Sequence, residues 1–220
     1  MNRFVSNAGA SIRARAWALL LRAALGTVAL GAAVSVGGQA SASVSIAVQF
    51  DELVERSKAV AVIVPIEQRS VWEGRSIITY TRVQIDDGIA GDATSGREVW
   101  VVTRGGVVGE IAQHVDGEPV LRVGRPSLAF LREDIIGDKA AQASGVYIVT
   151  ARAQGIFPIV TESDKRKKLV SSAALGMLYP PRAKVPMVQK ALAREVLEDK
   201  SVDEARESIR SAWRRIHVKR

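Results

Sequence analysis

Hydrophobic positions along this chain fall into three regimes. From Ala16 to Val36 they run almost unbroken, with Arg22 the one interruption. From Ala59 to Ser172 they come in short runs and alternations punctuated by glycine, proline and aspartate. Beyond Pro180-Pro181 they recur at helical spacing.

The middle regime predicts strands. Phe50, Leu53 and Val54 first mark one face of a short helix over 49–57. Ala59 to Val64 is then a continuous apolar run ended by Pro65, the pattern of a strand buried on both faces. Trp72-Glu73-Gly74-Arg75 reads as a turn, and Ser76 to Ile85 as a strand alternating through Ile77, Thr79, Thr81, Val83 and Ile85. Asp86-Asp87-Gly88 and Gly91-Asp92 are read as the loop that follows. Further strands are expected at Glu98–Thr103, Ser127–Leu131 and Gly145–Thr150, with a hairpin of Ile156–Val160 and Lys168–Ser172 around a polar tip. Short strands at close spacing argue for an antiparallel barrel or sandwich rather than a parallel sheet.

The last regime predicts two helices. Val188, Leu192 and Val196 share a face over 186–197. Ser201 and Glu204 have capping-box spacing and start a second helix, whose apolar face is Ala205, Ile209, Ala212, Trp213 and Ile216. Trp213 is the expected anchor of this pair on the β domain, and His217 is placed in a frayed basic end.

The first regime has the organisation of a secretory signal peptide. Arg3, Arg13 and Arg15 form a positive start, and Ala23 to Val36 supplies 14 residues without charge. Ala40-Ser41-Ala42 offers small residues for cleavage, expected after Ala42 with Ala40 as the alternative. An uncleaved anchor is the competing reading, but Arg22 shortens the apolar segment below the ~20 residues of a membrane span. A lipoprotein would need a cysteine, and a twin-arginine signal would need adjacent arginines where Ala14 separates Arg13 from Arg15. The expected location is therefore periplasmic or extracellular, with membrane contact only through the signal. The expected division is a signal peptide over 1–42, a β domain over 43–180 and a helical tail over 181–220.

Charge and composition change the picture once the signal is set aside. It carries four of the 31 basic residues and none of the 23 acidic ones, so a net +8 becomes 27 basic against 23 acidic, or +4. That mild charge, with aromatics at 5% and not interleaved with the basic runs, argues against nucleic acid as a partner. The chain has no cysteine, which excludes disulfides, a thiol nucleophile and thiolate metal sites. No motif for a cofactor stands out, and none is expected.

Candidate chemistry concentrates between Arg104 and Arg125, a span with five glycines. Gly105, Gly106, Gly109, Gln113 and Gly117 form the candidate binding loop, since paired glycines permit positive φ and an anion-binding nest. The competing explanation is a structured loop whose glycines satisfy turns. No phosphate-binding lysine motif follows. His114 with Asp116 is the one His-x-Asp pair and the candidate general base, with Glu110 or Glu118 as further carboxylates. No nucleophile elbow accompanies it. Asp86, Asp87 and Asp92 lack EF-hand spacing and read as turn residues. Lys165 to Lys168 is a basic run at the expected hairpin tip, and Arg210 to Arg220 adds five basic residues that suit a helix C-terminus.

Together, Phe50-x-Glu52-Leu53-Val54-x-x-Ser57, Gly105-Gly106-x-Val108-Gly109, Gln113-x-Val115-x-Gly117-x-Pro119 and Ser127-Leu128-Ala129-Phe130-Leu131 resemble a group of uncharacterised bacterial exported proteins. That group in turn resembles the OB-like β-barrel of netrin and TIMP domains. The resemblance spans Phe50 to Val160 and implies an OB-like barrel with an early helix; it implies no chemistry. Gly124-Arg125-Pro126 stands where a glycine-acid pair would be usual, and the disulfides of the animal domains have no counterpart here. The expected function is a non-catalytic binding or structural module whose partner is an envelope or extracellular protein. A hydrolase using His114 and a protease inhibitor by fold analogy are the alternatives.

Overall fold

The computed structural model describes residues 44–133, 145–181 and 191–217. The expected signal peptide lies outside these residues. Eleven strands and three helices follow in chain order. They are β1 (Val44–Ile46), α1 (Phe50–Glu55), β2 (Ala59–Glu73), β3 (Ser76–Gly91), β4 (Glu98–Arg104), β5 (Gly106–Val108), β6 (Ile111–Gln113), β7 (Ser127–Glu133) and β8 (Val146–Val149). After a 3-10 turn at Arg152–Gly155 come β9 (Ile156–Thr161), β10 (Lys167–Leu169), β11 (Met177–Tyr179), α2 (Ala193–Leu197) and α3 (Val202–His217).

The protein is mainly β, and its seven-stranded sheet closes into a ring. The order is β10-β9-β7-β2-β3-β4-β8, and β8 pairs again with β7. Five strands, β7, β2, β3, β4 and β8, thus form the closed circuit. All its pairings are antiparallel except β4 with β8, which run parallel. Closure gives every strand of the circuit a neighbour on both sides, while β10 ends the sheet as an edge strand.

The apolar run at the start of β2 is explained by two cores. Ala59, Ala61 and Ile63 join Val83, Val101, Leu131 and Val149 in a cluster drawn from all five ring strands. Val60 and Val62 face the other way, with Leu128 and Phe130, towards the helices. Both faces being buried, neither β2 nor β7 shows alternation there. Phe130 meets Phe157 edge-on, their ring centroids 6.4 Å apart.

Two strand boundaries differ from expectation. β2 passes through Pro65 and continues to Glu73. Its last pairing with β7 is Ile63 with Ser127, so a residue without an N–H is tolerated beyond that ladder and beside a register shift. β3 likewise continues through Asp86–Gly91, which pair with Ala59–Val62 across two further register shifts. Bulges accommodate the Asp-Asp-Gly sequence there rather than a loop. The β2/β3 turn is tight as expected, with Gly74 at φ 59° in a two-residue loop.

The second core receives the helices. Phe50, Leu53 and Val54 of α1, Ala193 and Leu197 of α2, and Ala205, Ile209 and Ala212 of α3 are buried in it. The capping box forms: the Ser201 amide donates to Glu204 Oε2 at 2.8 Å, and the Glu204 amide donates to Ser201 Oγ at 3.3 Å. The helix expected over 186–197 is shorter. Positions 186–190 lie outside the described residues, and Leu192 is extended and bridged to Gln49, leaving Ala193–Leu197 helical. Nor is His217 frayed. It ends α3 stacked on Trp213 with centroids 4.0 Å apart, its Nε2 3.3 Å from the Val54 carbonyl oxygen. None of the described helices is long and apolar enough to cross a membrane.

Candidate functional site

The glycine-rich loop is a small hairpin, β5 with β6, fixed to the β2/β3 ribbon by polar contacts. The Gly105 amide donates to the Ile77 carbonyl at 2.7 Å, and Thr79 Oγ1 donates to the Gly105 carbonyl at 2.6 Å. Gln113 Oε1 in turn accepts the Ile77 amide at 2.5 Å. At Gly106, with φ 140°, a Cβ would come within 2.3 Å of Thr79 Oγ1 and 2.5 Å of Ser70 Oγ. Gly105, Gly106 and Gln113 are therefore occupied in seating the hairpin. Gly109 sits in its exposed turn with nothing near. Gly117 lies apart from these, at the edge of a cleft described below.

His114 and Asp116 do meet, with Nε2 3.2 Å from Oδ1. The imidazole is 80% exposed. Glu118 faces elsewhere: it accepts Arg152 Nε at 2.7 Å and the Arg104 amide at 3.2 Å. The pair is an open surface contact, with water on most of the ring. Asp87 and Asp92 are engaged by Arg206 and Lys58 respectively, and no group of three metal-ligating side chains exists among the described residues. At the basic run, Arg166 pairs with Asp164, while Lys168 is 2.9 Å from Glu162 and 3.0 Å from Asp199. Hydrogen bonds to Glu162 and then Asp199 hold the Lys168 ammonium above its usual pKa.

A broad concavity lies elsewhere, on the outer face of the ring. It has a volume of about 590 Å³, within the ~300–1,000 Å³ span of small-ligand sites. Its floor is the outward side of three adjacent strands, with Ile78 of β3, Val102 of β4 and Ile148 of β8. One wall is β1 with Ala47 and Val48, held by Gln154: Oε1 accepts the Val48 amide at 2.8 Å and Nε2 donates to the Ile46 carbonyl at 2.9 Å. The opposite edge is Gly117-Glu118-Pro119.

Between these walls the backbone is strained. Ala151 and Arg152 both line the cleft and take left-handed φ values of 55° and 57° in succession. Such conformations cost non-glycine residues roughly 1 kcal/mol or more each, and persist where the surroundings over-determine them. Here the Thr150 amide donates to the Phe130 carbonyl at 2.8 Å and the Ala153 amide to the Gly117 carbonyl at 3.0 Å.

Among the described residues, four arginines and three glutamates line the cleft. Arg56 pairs with Glu52, and Arg152 with Glu118. Glu73 accepts the Tyr80 hydroxyl. Arg104 and Arg132 form no side-chain ion pair among the described residues, and the Arg132 Nε is buried without a hydrogen-bond partner. The residues that make this site were not distinguishable beforehand, because Arg104 and Arg132 stand just past the expected strands Glu98–Thr103 and Ser127–Leu131. A basic residue directly after the apolar run Ser127–Leu131 was the one available signal.

Comparison with protein-family models, curated proteins and solved structures gives no match for this chain.

Proposed function

We propose that this protein is an exported, non-catalytic binding module built on an OB-like barrel, and that its ligand sits in the outer cleft. The observation that carries the reading is the cleft of about 590 Å³ with consecutive left-handed residues, Ala151 and Arg152, in its wall. Local strain of this kind clusters at binding and catalytic sites. The closed five-strand circuit and the early helix α1 favour an OB-like barrel. The export reading rests on the N-terminal charge and apolar pattern.

The test is ligand-observed NMR with a fragment library against the purified protein and an Ile148→Trp variant, whose indole would fill the cleft floor. Hits that disappear in the variant support the site; hits that persist unchanged, or an absence of hits, count against it. Cell fractionation with N-terminal sequencing addresses export, with Ser43 as the expected first residue of the recovered protein.

One observation favours a second reading, hydrolysis with His114 as general base: its Nε2 lies 3.2 Å from Asp116. A hydrolase substrate panel run beside His114→Ala decides it. Turnover that the substitution abolishes would establish hydrolysis; no turnover, or turnover that survives, removes it.

A further inference from the structure

This inference rests on the reading of the outer cleft as a ligand site and names the chemistry that the site takes. We propose that it binds a small amphipathic anion, with a carboxylate or phosphate head on the Arg132 guanidinium and an apolar body along Ile148 and Val102.

The sheet register sets this arrangement. Arg132 of β7 pairs with Ile148 of β8, and Ile148 pairs with Val102 of β4. The three side chains therefore form one row across adjacent strands on one face, spaced about 5 Å apart. Arg104, two residues along β4 from Val102, shares that face and pairs across with Ile78. The row thus runs from a guanidinium across an apolar floor, with a second guanidinium beside it.

Charge selects the sign of the head. Arg56 and Arg152 are neutralised by Glu52 and Glu118, which among the described residues lining the cleft leaves Arg104 and Arg132 with one remaining carboxylate, Glu73. That carboxylate is turned to the Tyr80 hydroxyl. Arg132 lines the cleft, and its planar guanidinium can hold an oxyanion through two parallel hydrogen bonds. An ammonium head would meet two guanidinium charges, and a neutral alcohol would leave them uncompensated.

Isothermal titration of octanoate, octyl phosphate, octanol and octylammonium into the purified protein, Arg132→Gln, Arg132→Lys and Ile148→Trp tests this. At least one anion is expected to bind about tenfold or more tightly than octanol and octylammonium, and to weaken by a similar factor in Arg132→Gln. Octanol affinity should be unchanged by that substitution. Preference for octanoate or for octyl phosphate distinguishes a free acid from a phosphate-headed ligand, and either supports the proposal. Equal binding of all four compounds, lost in Ile148→Trp, overturns the anion inference while leaving the cleft as the site. Anion binding that survives Ile148→Trp overturns both. No binding of either anion overturns the inference, and the fragment screen then decides the cleft reading separately. Should Arg132→Gln fail to fold by circular dichroism, Arg132→Lys carries the test: selectivity for the anion over octylammonium must persist there, and its loss overturns the proposal.

Discussion

The indole of Trp213 lies so close over Gly91 that a Cβ on the glycine would come within 2.8 Å of the ring. The same Cβ would stand 2.1 Å from the Lys58 carbonyl oxygen, and Gly91 has φ 68°. The last residue of β3 is thus a glycine because helix α3 and the start of β2 both close on it. Gly91→Ala is expected to destabilise the protein by about 3 kcal/mol, through clash and left-handed strain together. Trp213→Ala, which empties a partly buried position, should cost about 2 kcal/mol. Urea denaturation of both variants measures this; a Gly91→Ala loss within 0.5 kcal/mol, on the order of an ordinary surface substitution, would contradict the packing.

Glu118 ties the rim of the cleft together by accepting from Arg152 and from the Arg104 amide, and its side chain is only 14% exposed. Glu118→Gln keeps an acceptor for the Arg104 amide while removing the charge that neutralises Arg152. Stability should fall by no more than about 1 kcal/mol, because Arg152 is half exposed. Octanoate affinity should rise about twofold to threefold as the Arg152 charge is released into the cleft. A weaker affinity in titration would argue against an anion-binding cleft.

The two ends of the glycine hairpin should respond differently to the same change. Gly106→Ala drives a Cβ into Thr79 and Ser70, whereas Gly109 has open space and only its φ of 60° to lose. The expected losses are about 3 kcal/mol and about 1 kcal/mol respectively. Equal effects in thermal denaturation would show that the hairpin is not seated on the β2/β3 ribbon.

Acid should loosen the helical tail. Hydrogen bonds from the Ser201 side chain and backbone hold the Glu204 carboxyl below its ordinary pKa, and a hydrogen bond from Arg194 does the same for Glu198. Both folded values lie below those of the unfolded chain. Their contribution is therefore complete above the ordinary carboxylate range and is lost as pH falls through it towards the folded values. Ser201→Ala is expected to cost about 1 kcal/mol at neutral pH, a gap that narrows in acid as Glu204 is protonated in both proteins. A gap that widens on acidification, followed by circular dichroism from pH ~7 to ~3, would refute the capping role.

Local patterns were enough for α1, α3 and most of the strands. The capping spacing of Ser201 and Glu204 located the start of α3, AVAVIV announced a strand with two buried faces, and SLAFL announced a strand. Where prediction missed, distant partners had overridden local preference. Pro65 continues a strand because its missing N–H falls beyond the β7 ladder, and Asp86–Gly91 pair through bulges because β2 lies beside them. Leu192 leaves its helix to bridge Gln49.

Of the candidate site, the glycine loop and the His114–Asp116 pair were legible because their residues are neighbours along the chain. The cleft was not. Its arginines lie on β4 and β7, and its strained wall, Ala151-Arg152, carries no glycine to mark positive φ. What the sequence determined unaided was set within a few residues: the apolar periods, the cap and the tight turn at Gly74. What only the tertiary structure decided was which faces meet. The parallel pairing of β4 with β8 closes the ring and brings Arg132 into one row with Ile148 and Val102. Such a row depends on registers between strands far apart in the chain, and no local propensity encodes a register.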